Sequence, residues 1–204
     1  VAARIAHEHA LAALAGAVAR IDPAGFAVLD SEKLRSAAPD TARDLIGRAV
    51  TTVSGGAYPP RGARLDALAA RVVHDTGDWR RTLGGCVITH VANGRLQVFR
   101  EPAALPPPCA VGNGAFTWDN RFTVLAGSAG PGLTVDALER ASRRDWARVV
   151  SARVLALPHE ARRVLPGLYD GDRLAAGPDF DGQGALFVRF SPKNPISGAT
   201  FGGF

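Results

Sequence analysis

The chain has 204 residues, with 24 Lys+Arg against 19 Asp+Glu for a formal charge of +5, and 47% of it is hydrophobic. That composition excludes a disordered tail, a collagen-like repeat and a disulfide scaffold, and the length suits one or two domains with a substantial core. No apolar run approaches the ~18 residues that a bilayer span needs and no basic-then-apolar leader opens the chain, so a cytoplasmic protein with no membrane partner is expected.

Ile5, Leu11, Leu14, Val18 and Ile21 lie near one face of an alanine-rich stretch, which predicts a helix over 2–21 stopped by Asp22-Pro23-Ala24-Gly25. An extended piece over 25–29 leads to Asp30 or Ser31, either of which can cap a helical turn around 32–36. Pro39-Asp40 starts the next helix, Leu45, Ile46, Ala49, Val50 and Val53 form its stripe, and Gly55-Gly56 ends it. Tyr58-Pro59-Pro60-Arg61 is a rigid connector, because each proline fixes its own φ and pushes the preceding residue out of the helical region. A third helix is expected from about 61 to 74, with Leu65, Leu68, Ala69, Val72 and Val73 inward and Arg61, Arg64 and Arg71 toward solvent or a ligand. The first 75 residues read as a small helical bundle.

After Trp79 the period changes from helical to strand-like. Residues 86–91 and 95–100 flank Ala92-Asn93-Gly94, a strong hairpin signal. Four prolines and two glycines over 102–114 make a connector or covering strap. Residues 117–124 suggest a second tight hairpin, 134–150 a helix carrying Val135, Leu138, Ala141, Trp146 and Val149, and 185–190 a strand in a proline-broken tail. The expected class is α+β: a helical subdomain over 1–78, then a β-rich subdomain over 79–204.

Complete catalytic constellations are missing. Ser54-Gly55-Gly56 and Gly84-Gly85-Cys86 lack the Lys-Ser/Thr of a phosphate loop and the Gly-x-Ser-x-Gly of a nucleophile elbow. Cys86 and Cys109 read as free thiols, Cys86 as a buried small hydrophobe or, remotely, the thiol of a hydrolase. Five scattered histidines give no metal-ligand spacing, and Asp170/Asp172 and Asp179/Asp181 most simply make turns. Lys33 and Lys193 are the only lysines, so the positive charge is arginine, which suits bidentate phosphate contacts and also follows from a GC-rich gene. A chain that opens at Val1 and contains no methionine is expected to derive from a longer parent.

Taken together, several motifs resemble a known family: Gly55-Gly56 before Tyr58-Pro59-Pro60-Arg61, the stretch 82–86, the strand 95–101, Trp118-Asp119-Asn120-Arg121-Phe122, and the closing Pro195-Ile196-Ser197-Gly198-Ala199-Thr200-Phe201. In this order they resemble the region of bacterial tRNA(Ile)-lysidine synthase that lies beyond its PP-loop ATPase domain, in the alphaproteobacterial form. The resemblance implies a parent enzyme that adenylates the wobble cytidine of an isoleucine tRNA with ATP and ligates lysine there. The family's Ser-Gly-Gly-x-Asp-Ser loop is absent, since Ala57-Tyr58 come after Ser54-Gly55-Gly56, so no catalytic residue carries over and ATP and Mg are assigned to a separate catalytic domain.

What the resemblance leaves to this chain is tRNA engagement, without activity of its own. The RNA-binding candidates are Arg61, Arg64 and Arg71, Arg95 and Arg100, and Arg140, Arg143, Arg144 and Arg148, the last group beside Trp146. The implied partners are tRNA and the N-terminal catalytic domain of the same polypeptide; homodimerisation of the parent stays open. The competing reading is a non-catalytic interaction or scaffold protein with no RNA partner, its arginines a product of genome composition.

Overall fold

The computed structural model describes residues 1–127 and 132–197, with the backbone of 200–201. The first half holds α1 (Ala2–Val18), β1 (Ala19–Ile21), β2 (Ala27–Asp30), α2 (Ser31–Ser36), α3 (Pro39–Ser54), α4 (Ala63–His74), β3 (Trp79–Leu83), β4 (Cys86–Val91) and β5 (Arg95–Arg100). Next come β6 (Cys109–Ala110), β7 (Phe116–Trp118), β8 (Phe122–Ala126), β9 (Leu133–Ala137), α5 (Arg143–Val149), α6 (Ala152–Leu155) and α7 (His159–Arg162). The last elements are β10 (Pro166–Asp170), β11 (Arg173–Ala176), β12 (Leu186–Phe190) and β13 (Thr200–Phe201). Helices come first and strands dominate the rest of the chain, so the class is α+β.

One compact unit takes in Val1–Glu101 together with the chain from Pro192 onward, and a second spans Pro102–Ser191. The division differs from one at residue 78 because β3, β4 and β5 do not stand apart from the helices. They continue a sheet of order β13-β1-β2-β5-β4-β3 that begins among the helices, antiparallel throughout except for the β1–β13 pair.

In the first unit the helices pack on one another, α1 and α4 against α3, and α3 also lies on β4 and β5. The core between them holds Leu11, Leu45, Ile46, Val50, Leu65, Ile88, Leu96 and Val98, each no more than 2% exposed. Asp30 caps α2, its Oδ1 accepting from the Glu32 and Lys33 amides at 3.1 Å. Gly55, left-handed at φ 69°, ends α3 as the glycine pair predicts. The β4–β5 register pairs Val91 with Arg95 around Ala92-Asn93-Gly94, and Gly94 takes φ 81°.

The helix expected over 2–21 stops at Val18. Residues 19–21 pair instead with 27–29, and Asp22-Pro23-Ala24-Gly25 is the hairpin turn between them, with the Gly25 amide donating to the Asp22 carbonyl at 2.8 Å.

The second unit contains a four-stranded sheet, β11-β10-β9-β6, and a three-stranded one, β12-β8-β7. The β7–β8 hairpin turns on Asp119 and Asn120, at φ 50° and 54°, the two left-handed residues that a tight primed turn requires. The helix expected over 134–150 is a correction. Residues 133–137 form β9, paired along its whole length with β10, and a helix begins only at Arg143, where Ser142 Oγ accepts the Asp145 amide. Thr134 and Val135 favour the extended form, and the β10 partner that fixes it lies thirty residues on. Cys109–Ala110 adds an edge strand to β9 within the proline-rich stretch. The Asp170-Gly171-Asp172 turn joins β10 to β11, and Asp179 accepts the amides of Asp181, Gln183 and Gly184 within its own loop. Residues 198–199 of the closing motif lie outside the described residues.

Candidate nucleic-acid interface

Leu65, Leu68 and Val72 turn one face of α4 into the first unit's core, which fixes where its arginines emerge. Arg61 stands exposed just before the helix, at the rim of a depression of about 320 Å³ that Arg43, Arg48, Pro59 and Pro60 also line. Arg43 is held by Asp66 and Asp44 at 2.5 and 3.0 Å, and Arg48 by Glu8 at 2.6 Å, which draws the Glu8 carboxyl below its ordinary range. Arg61 has no side-chain partner among the described residues, and neither has Arg64. Tyr58, three residues before Arg61, is 79% exposed, an aromatic ring placed outside any core.

Arg64 lines a second depression, about 350 Å³, with Arg71 and Arg81. Arg81 comes from β3, where its pairing with Ile88 puts it on the helix-facing side of the edge strand. It was not among the sequence candidates; its only signal was a pair of adjacent arginines in a strand, one of which must face α4. Arg71 is less free. Its guanidinium binds Asp75 at 3.0 Å and lies 5.2 Å from the centroid of the Trp79 ring.

Arg95 and Arg100 share β5 but, five residues apart, point to opposite faces. Arg95 is exposed, without a side-chain partner among the described residues, and lines a depression of about 280 Å³ with Arg20, Lys33, Asp30 and Glu32. Arg100 is buried, and its Nη1 donates to the Gly85 carbonyl at 3.0 Å.

In the second unit the four clustered arginines divide in the same way. Arg140 sits before α5 in a short helical turn, bonded to Asp136 and Asp172 and stacked 5.2 Å from Tyr169, and the two carboxylates hold its guanidinium more firmly charged. Arg148 donates to Asp145 at 3.0 Å and to the Leu174 carbonyl at 2.9 Å. Arg143 and Arg144 are exposed and have no side-chain partner among the described residues. Of the nine candidates, Arg61, Arg64, Arg95, Arg143 and Arg144 are thus available to an anionic ligand, while Arg71, Arg100, Arg140 and Arg148 have intramolecular work.

The alternative chemistries find little support in the geometry. Ser54 Oγ donates to the Thr51 carbonyl and accepts the Gly56 amide, so Ser54-Gly55-Gly56 closes a helix and offers no phosphate cradle. Cys86 is fully buried with Sγ 3.4 Å from the Val50 carbonyl oxygen. His90, four residues along the same strand and so about 13 Å away, donates from Nδ1 to Gly77 O at 2.7 Å, while Nε2 faces Ser31 Oγ at 2.9 Å and Arg35 at 3.3 Å. Arginine can only donate, so Nε2 is the acceptor, and neither ring nitrogen is left for a thiol. Among the described residues no three His, Cys, Asp or Glu side chains gather as a metal set, and no helix is long and apolar enough to cross a membrane.

No family model and no solved structure matches the chain. Among curated proteins it is 26% identical over 125 residues to the tRNA(Ile)-lysidine synthase of Orientia tsutsugamushi (strain Boryong), covering 59% of this chain and 27% of that protein. It is 27% identical over 104 residues to the tRNA(Ile)-lysidine synthase of Anaplasma marginale (strain St. Maries), covering 50% of this chain and 22% of that one. The matched part thus spans about a quarter of the length of these relatives.

Proposed function

We propose that this chain is the tRNA-recognition region of a tRNA(Ile)-lysidine synthase, whose parent enzyme joins lysine to the wobble cytidine of an isoleucine tRNA at the expense of ATP. The observation that carries the reading is the likeness of at least half the chain to two enzymes of that name. The exposed Arg61, Arg64 and Arg95, with Arg81 on the neighbouring strand, supply the physics. They offer guanidinium forks to phosphates, Arg61 beside the already neutralised Arg43 and Arg48, Arg64 and Arg81 around the next depression, and Arg95 on the opposite face of the sheet from Arg81. The chemistry, with its ATP and Mg, belongs in this reading to an N-terminal catalytic domain of the same polypeptide, because the one Ser-Gly-Gly of this chain cradles no triphosphate.

Recognition of this kind binds by releasing counterions from the RNA, so its signature is the salt dependence of affinity. Replacing Arg61 and Arg64 together by Ala should weaken binding of an unmodified isoleucine tRNA. It should also flatten the log-log salt slope by about 0.7 to 0.9 per lost contact. The scaffold reading forecasts no effect of the double variant on tRNA binding, and because both side chains are exposed and without a side-chain partner among the described residues, an unchanged melting temperature shows that the variant still folds. Both quantities measured on the one double variant decide between them.

A further inference from the structure

α5 and α7 in the second unit enclose an open depression of about 520 Å³, within the range of small-ligand sites. An indole is among the residues that line it. Trp79 and Trp118 are core residues at 8% and 2% exposure, whereas Trp146 is only half-buried and opens into this depression. The guanidinium carbon of Arg162 lies 5.7 Å from the Trp146 ring centroid, and its Nη1 is pinned to the Leu155 carbonyl at 2.9 Å. Indole and guanidinium therefore stand together in the depression as an aromatic and cationic platform, the guanidinium held in place by the Leu155 carbonyl.

Arginine stands on the rim. Arg143 and His159 stand exposed on it, Arg143 with no side-chain partner among the described residues. The one acidic side chain in the lining, Glu139, is already gripped by both ends of the Arg163 fork. A ligand entering here meets a surface for stacking and a free cation beside it, and the lining carboxylate is spoken for. Flat π systems carrying a phosphate have that shape and charge, and single-stranded RNA is read by stacking its unpaired bases on aromatic rings and arginine planes. An acidic peptide would match the charge but leave the platform unused.

We propose that the Trp146–Arg162 platform receives one unpaired ribonucleotide, its base stacked on the platform and its phosphate on Arg143. The proposal rests on the tRNA-recognition reading and adds to it a site for a single-stranded part of the RNA.

The test is binding of labelled hexauridylate to the full chain by fluorescence anisotropy, beside a blunt RNA duplex and the isoleucine tRNA. Trp146→Ala should weaken hexauridylate roughly tenfold or more, the worth of one stacked base, and leave duplex binding unchanged, while Trp146→Phe should retain most of the affinity. Arg143→Ala, at an exposed side chain that the fold does not use, should lower the hexauridylate salt slope by about 0.7. Hexaglutamate should fail to compete. If the chain binds tRNA and duplex but not hexauridylate, or if both variants bind it like the wild type, the platform is overturned and the recognition reading stands. Equal competition by hexaglutamate overturns the platform as well. If the wild type binds none of the three RNAs, the recognition reading itself falls.

Discussion

Arg121 is fully buried beside Phe122, its guanidinium carbon 4.9 Å from that ring, and its Nε donates to Asp119 Oδ2 at 2.6 Å. Nothing in the sequence distinguished it from the arginines offered to RNA. Charged side chains are exposed by default, and only the turn at Asp119-Asn120 brings this carboxylate back over its own strand. Taking the carboxylate away from this buried guanidinium removes its close ion pair, so Asp119→Ala should lower unfolding free energy by about 3–5 kcal/mol in urea titration, with Asp119→Asn milder because it keeps a hydrogen-bond acceptor and tolerates positive φ. Asp179 acts in the opposite sense to a buried ion. Amides of Gly184, Asp181 and Gln183 hold its exposed carboxyl below the ordinary carboxylate range. A group whose folded pKa is depressed contributes stability that is present above its unfolded value, about 3.9, and lost as pH falls through the folded one. Stability should therefore fall on acidification below about pH 4, and Asp179→Asn should flatten that limb of a melting-temperature series.

At the scale of elements, what was legible had a local cause. The Asn93-Gly94 hairpin and the Gly55 terminus rest on residues within four positions of one another and stand where the sequence puts them, and of the two capping candidates Asp30 and Ser31 it is Asp30 that caps α2. β9 and β10 were missed because each needs the other. Leu133–Ala137 carries an apolar spacing that suits a helix equally well, and Pro166–Asp170 opens on a proline and a glycine. Gly167 in that strand has a reason the sequence could not display. A Cβ there would stand 2.7 Å from Leu174 Cδ1 and 2.8 Å from Leu138 Cδ2, closer than a side chain can approach. Gly167→Ala should thus cost about 1–3 kcal/mol by overpacking, read as a lower midpoint in urea at unchanged slope.

Across the whole molecule, long-range connectivity is the part that no local pattern encodes. The chain from Pro192 returns to the first unit, where the Thr52 hydroxyl donates to Asn194 O at 2.6 Å and Asn194 Nδ2 donates to Gly56 O and Ala57 O at 3.0 and 3.1 Å. These bonds tie residues some 140 positions apart, and they fasten the end of α3 where the Tyr58-Pro59-Pro60-Arg61 connector leaves for α4. The same fastening bears on chemistry. With Gly55 left-handed, Ser54 bonded within its own turn and Asn194 on the Gly56 carbonyl, the one Ser-Gly-Gly of the chain is committed to ending a helix. With the Gly56 amide bonded to Ser54 Oγ, the segment does not present the free run of amides that wraps a triphosphate. Incubated with ATP, Mg, lysine and an isoleucine tRNA, the chain by itself should release no AMP and incorporate no lysine. Its affinity for the tRNA, measured in the same mixture, should be the same with and without ATP. Lysine incorporation would refute the assignment of catalysis to another domain, and an ATP-dependent gain in tRNA affinity would show that this chain itself holds a nucleotide site.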